Sequence, residues 1–211
     1  MRSLAFVALI AAALPLSAVA APVTVSISGT WDVVDDPGGV LSGAVVPGTS
    51  FAALLSYDDT APIIYSDPTT ANYDLGALPF SLDVATGGFT FTWFAGGTTQ
   101  LDLVNGSFDN ASGFFENLSG TPGLPPIGYS YMLLALDDAS ATALSSTALA
   151  ALPWSLAPWG SADFGVFFGV PGTYVDLQGS ISALAVVPEP GTPALLAAGF
   201  VLLAARARRR S

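Results

Sequence analysis

Carboxylates are the only charged side chains in most of this chain. Between Ala21 and Val186 stand fourteen Asp and one Glu (Glu116), and no Lys, Arg or His lies between Ser3 and Ala205. The chain has no cysteine. Those absences exclude Ser-His-Asp triads, thiol nucleophiles, Schiff-base lysines and His-ligated zinc from the body. No arginine there can clamp a phosphate. Two chemistries remain. One is glycoside hydrolysis by a pair of carboxylates. No spacing singles out such a pair, so the sequence supports no catalytic residue and the expectation is a non-enzyme. The other is calcium, which takes hard oxygen donors from loops. Asp35 and Asp36 close one strand and Asp58 and Asp59 follow another, so these four are the candidate calcium ligands. The same Asp-Asp and Asp-Pro pairs are turn formers, and none follows the spaced EF-hand loop. Trp154 and Trp159, in the loop Pro153-Trp154-Ser155-Leu156-Ala157-Pro158-Trp159, are candidates for stacking on sugar rings.

Charge restricts the partners. The body carries about −15 with no counter-charge, so it repels nucleic acid and anionic lipid and forms no internal ion pair. Without disulfides its stability must come from a buried core, for which some 165 residues suffice.

The elements that must position these residues alternate with a period of two. Val23, Val25, Ile27, Gly29, Trp31 and Val33 share one face. Phe51, Ala53, Leu55 and Tyr57 share another, as do Phe80, Leu82 and Val84. Thr86-Gly87-Gly88 predicts a hairpin into Phe89, Phe91 and Trp93, because primed turns need positive φ. Leu101 and Leu103 continue the pattern, and Tyr129 to Leu136 reads as a strand covered on both faces. Phe164 to Phe168 and Val175 to Ala183 close the series. Residues 35–47, 60–70, 105–127 and 153–163 read as loops, and 139–152 as a short helix or an irregular connection. Eight or nine strands with long connections predict an all-β, single β-sandwich ectodomain, with a jelly roll as one form of it.

Both ends carry addresses. Met1-Arg2-Ser3, the apolar Leu4 to Leu14 and Ala18-Val19-Ala20 form the three regions of a signal peptide, residues 1–20, cut before Ala21. The ectodomain is 21–186. In 187–211, the extended Val187-Pro188-Glu189-Pro190-Gly191-Thr192 precedes an uncharged helix over 193–205 and then Arg206, Arg208, Arg209 and Arg210. Thirteen residues span about 20 Å, short of the ~30 Å hydrocarbon core. This order of Pro-Glu-Pro signal, hydrophobic helix and arginine cluster resembles the PEP-CTERM sorting tail of bacterial exosortase substrates.

The resemblance implies export through the Sec translocon, cutting by signal peptidase, and a precursor tethered in the inner membrane by its C-terminal helix. Exosortase then reads Val187, Pro188, Glu189 and Pro190, and the product goes to the cell envelope, the outer surface or the medium. Such systems tend to accompany exopolysaccharide. The body also resembles, more loosely, extracellular domains found upstream of these tails, through Gly29-Thr30-Trp31-Asp32-Val33-Val34-Asp35-Asp36-Pro37, Tyr57-Asp58 and Gly179 to Ser182. That likeness implies a β-sandwich and no catalytic residues. Two functions follow: a non-enzymatic, exopolysaccharide-associated envelope or matrix protein, or a carbohydrate-binding or carboxylate-based glycan-hydrolysing domain on the same tail. Burial of Trp154 and Trp159 favours the first, and their exposure beside facing carboxylates the second.

Overall fold

A computed structural model describes residues 22–93, 96–120 and 124–188. Twelve strands run through them: β1 (Val23–Asp35), β2 (Ser50–Tyr57), β3 (Ile63–Ser66), β4 (Thr70–Asp74), β5 (Ser81–Thr86), β6 (Phe89–Trp93), β7 (Thr99–Asn105), β8 (Asp109–Glu116), β9 (Leu118–Gly120), β10 (Ser130–Asp138), β11 (Ser161–Val170) and β12 (Thr173–Val186). They form one antiparallel sheet in the order β3-β4-β7-β8-β10-β11-β12-β1-β2-β5-β6-β9. Among the described residues the only helical turns are Leu75–Ala77 and Leu149–Ala151. None is long and apolar enough to cross a membrane.

The all-β expectation holds, but the two separately bonded sheets of a sandwich are replaced by two halves of one strongly curled sheet, a half-barrel. Contacts inside the curl show it. Phe51 of β2 stacks on Phe164 of β11 with centroids 5.4 Å apart, although β12 and β1 lie between them in the ladder. Phe91 of β6 lies 5.1 Å from Phe168 of β11. The chain itself spans the curl. Asn117, in the left-handed region at φ 65°, turns β8 directly into β9, which pairs with β6 at the far edge of the ladder.

The bend is built into the longest pair. β1 and β12 shift register between Ser28 and Gly29 and again between Trp31 and Val33. Bulges of this kind bend a strand and raise its twist, so the sheet rolls without breaking in two. The crossing is tight enough to require glycine. A Cβ on Gly179 would run into the Thr30 carbonyl oxygen and sit 3.0 Å from Trp31 Cα.

Inside the curl, Trp31, Phe51, Phe91, Phe115 and Phe168 are fully enclosed. Trp31 Nε1 donates to Thr86 Oγ1 at 2.8 Å, and Thr86 Oγ1 donates to the Ser50 carbonyl at 3.0 Å, so the largest buried ring leaves no polar atom unpaired. The Gly87-Gly88 hairpin forms as expected, with φ of 55° and 86° between β5 and β6.

Several strands differ from the sequence reading. β3, β8 and β9 occupy stretches that read as loops, and β4 runs from the end of one, at Thr70, into a stretch given no element. β8 is concealed because its inward positions are Asp109, Ala111 and Gly113, and only Phe115 is large and apolar. β10 is not covered on both faces: Met132, Leu134 and Leu136 are buried while Tyr131 and Leu133 are partly open. The stretch 139–152 takes the irregular of its two expected forms, with one 3-10 turn at Leu149–Ala151.

Candidate functional site

The two ends of the described chain leave the fold side by side. β12 stays on β1 through Val186, which pairs with Val25, and the Val187 amide still donates to the Thr24 carbonyl at 2.8 Å. Pro188 has no N–H to continue the ladder and is exposed. Pro22 precedes β1 beside it. This end is plugged by the 139–160 loop, whose Leu144, Leu149 and Leu152 are buried. Asp138 organises the loop: its carboxylate accepts the amides of Ser140, Thr142 and Ala143, and hydrogen bonds, led by that from the Ser140 hydroxyl, hold its pKa well below the ordinary value. Asp109, directly opposite on β8, accepts the Leu144 amide at 2.8 Å.

Trp154 and Trp159 belong to this plug and are not exposed platforms. Their relative exposures are 7% and 8%. Trp154 Nε1 donates to Tyr57 Oη at 2.8 Å, and Trp159 Nε1 donates to the Pro153 carbonyl at 3.1 Å. Of the two outcomes the sequence leaves open, burial is the one found, because the open end of a curled sheet needs large apolar side chains to close it.

The candidate calcium ligands do not meet as one group. β1 starts opposite Tyr57 and ends at Asp35, so Asp58-Asp59 and Asp35-Asp36 lie at opposite ends of about 40 Å of strand. Each pair is tied to its own turn. Asp36 accepts the Val40 and Leu41 amides at 2.8 Å, which seats Leu41 in the core. Asp58 accepts the Thr60 amide and hydroxyl, which lowers its pKa. Asp35 accepts from Tyr174 Oη at 2.6 Å. Among the described residues, no three acidic side chains converge as a metal cage.

The outer face of β8, β10, β11 and β12 carries something the sequence reading missed. Phe114, Tyr131, Phe167 and Tyr174 form a row across four neighbouring strands, with centroids 5.3, 5.1 and 6.0 Å apart. Tyr129, 61% exposed, leans on Tyr131 and Phe167. Burial and the nearby Asp176 raise the Tyr131 pKa. Next to the row, across β10, β11, β12 and β1, lies a groove of about 310 Å³ whose outward lining includes Val33, Leu133, Ala135 and Gly165, with Asp32, Asp163 and Gln178. Alternation could have placed Tyr131 and Phe167 outward, but their neighbours across the sheet are legible only from the strand order.

Residues 186–210 match the model of the PEP-CTERM protein-sorting motif. The chain carries a PEP-CTERM tail. That motif implies an exported protein processed by exosortase. No curated protein and no solved structure matches the chain. The PEP-CTERM match begins at residue 186, still paired with Val25, so the sorting motif starts without a spacer on a central strand of the sheet. Glu189, Pro190, Arg206, Arg208, Arg209 and Arg210 lie outside the described residues, as do the expected signal peptide 1–20 and the helix over 193–205.

Proposed function

We propose that this PEP-CTERM chain is a non-enzymatic envelope or matrix protein, associated with exopolysaccharide, whose curled β-domain is delivered by exosortase. The signal peptide and Sec translocon take it across the inner membrane, and the helix over 193–205 holds it there until processing, with the arginines on the cytoplasmic side. The observation that carries this reading is the sorting motif joined directly to β12. Both processing sites then sit at one end of the domain, beside the membrane, and the outer face stays open to the matrix. The test is fractionation of cells making Glu189→Ala or a chain lacking the four arginines. Both variants accumulate as membrane-retained precursor. Normal release of both contradicts the proposal.

A second reading, a glycan hydrolase, draws on Asp32 and Asp163 lining one groove, since paired carboxylates cleave glycosidic bonds. It requires Asp163→Asn to abolish the release of shorter oligosaccharides from a glycan substrate. The proposed function requires that no such release occurs in either form.

A further inference from the structure

We infer that the groove on the outer face of β10, β11, β12 and β1 binds a polysaccharide bearing free amino groups; this rests on the matrix-associated role just proposed and names its ligand.

The floor of the groove is glycine at Gly165. Gly165 stands on the outward face of β11, where a side chain would be tolerated: a Cβ there would meet nothing nearer than the Leu177 carbonyl at 3.4 Å, and its φ is not left-handed. Glycine weakens a strand interior, so sterics alone gives no reason for it. Gly169, on the same face two residues beyond Phe167, is equally free, with the Tyr129 carbonyl at 3.6 Å. Phe167 therefore stands between two positions kept empty. Gly179 differs, because the β1–β12 crossing demands it.

An apolar surface adjoins that floor. Cross-strand pairing alone accounts for an aromatic row. It does not account for a row that borders a glycine-floored groove of ligand size. The groove's own apolar lining is Val33, Leu133 and Ala135; Tyr131 and Phe167, the next outward pair along β10 and β11 from Leu133 and Gly165, stack with 15° between their planes and extend that surface, against which the C–H faces of pyranose rings pack.

Charge selects the sugar. Asp32 and Asp163 line the groove and Gln178 offers an amide. Asp176 and Asp35 face each other across β12 and β1 at its margin. Every formal charge here is negative, and the body has no cation to neutralise it. An anionic glycan is repelled, and an apolar peptide brings these carboxylates no counter-charge. A glycan with ammonium groups satisfies both the apolar wall and the acids.

The experiment is titration calorimetry of the protein purified from its host with glucosamine oligomers, and with the same oligomers fully N-acetylated, at low and moderate salt. The glucosamine oligomers bind, binding weakens with salt, and the acetylated ones bind at least about tenfold more weakly. Gly165→Val, which fills the floor with a strand-favouring side chain, weakens binding about tenfold or more while the thermal midpoint is kept. Tyr131→Ala does the same through the wall. Unchanged affinity in Gly165→Val overturns the inference, because attraction is then spread over the acidic surface. Equal affinity for both oligomers overturns the choice of an amine-bearing glycan. Either failure leaves exosortase-dependent release intact, so the two readings fail separately.

Discussion

The β1–β12 crossing gives the sharpest structural prediction, because two glycines on neighbouring strands should respond oppositely to the same methyl group. In Gly179→Ala the added Cβ would collide with the Thr30 carbonyl oxygen and lie 3.0 Å from both Thr30 C and Trp31 Cα. These are backbone atoms of a paired strand, so no rotamer change relieves the clash, and β12 must part from β1. Overpacking typically costs 1–3 kcal/mol, and strained ladder hydrogen bonds at about 1 kcal/mol each put this case at about 3 kcal/mol or more. For a domain of this size that lowers the midpoint by about 6–12 °C. In Gly165→Ala the Cβ makes only ordinary contacts, the nearest at 3.4 Å, and the chain loses less entropy on folding. A gain of about 0.5 kcal/mol, or about 1–2 °C, follows. Thermal unfolding followed by near-ultraviolet circular dichroism reads both. A Gly179→Ala variant as stable as the parent would refute the bulged crossing as the joint of the sheet.

Other outcomes follow from the plug and the turns. Tyr57→Phe leaves Trp154 Nε1 buried without its acceptor and destabilises by about 1–3 kcal/mol in urea unfolding, whereas an exposed tryptophan would show no loss. Burial, partly offset by the hydrogen bond from Trp154, pushes the Tyr57 pKa up to about 12. Its folded pKa lies above its unfolded value near 10, so the stability it lends is complete below pH 10 and is lost as pH rises towards 12, at about 1.4 kcal/mol per unit; tyrosinate absorbance against unfolding measures this. Asp138 has the opposite sense. Its carboxyl is held below its ordinary 3.8, so its contribution is present above that pH and fades below it, and Asp138→Ala removes that acid sensitivity while loosening the 139–144 loop to hydrogen exchange. Because the Asp35-Asp36 and Asp58-Asp59 pairs are far apart and each caps its own turn, chelation with EDTA leaves the melting curve unchanged; a fall of several degrees would show a calcium site.

Much of the fold was legible where side-chain size alternates. Val25, Ile27 and Trp31 announce β1, and the double glycine announces the β5–β6 turn, because each pattern is a local consequence of the pleat or of positive φ. β8 was not legible, since a strand whose inward residues are Asp, Ala and Gly has no apolar period to display. The curl was not legible either. It depends on bulges at Ser28 and Trp31 and on which strand lies across from which, and register is a non-local property. The candidate site divides in the same way. The sorting tail reads directly from composition, with two prolines around Glu189, an uncharged run and four arginines. The outer-face groove needs Gly165 and Gly179 to be brought beside Asp32, Asp163 and Gln178, and those residues are scattered over most of the body. The tryptophan loop was undecided for a related reason: proline-rich sequence marks a loop, but only the open end of the half-barrel explains why that loop turns inward.

The central claim, an exported β-domain trimmed at a PEP-CTERM tail, is tested most directly by intact mass spectrometry of the protein from its own host, with and without exosortase activity. The account predicts a product that begins at Ala21 and ends between Pro188 and Gly191 when exosortase is active, and a longer one that keeps the arginines when it is not. A product that retains Arg208 to Arg210 in both hosts would contradict it, and the tail would then be a plain membrane anchor.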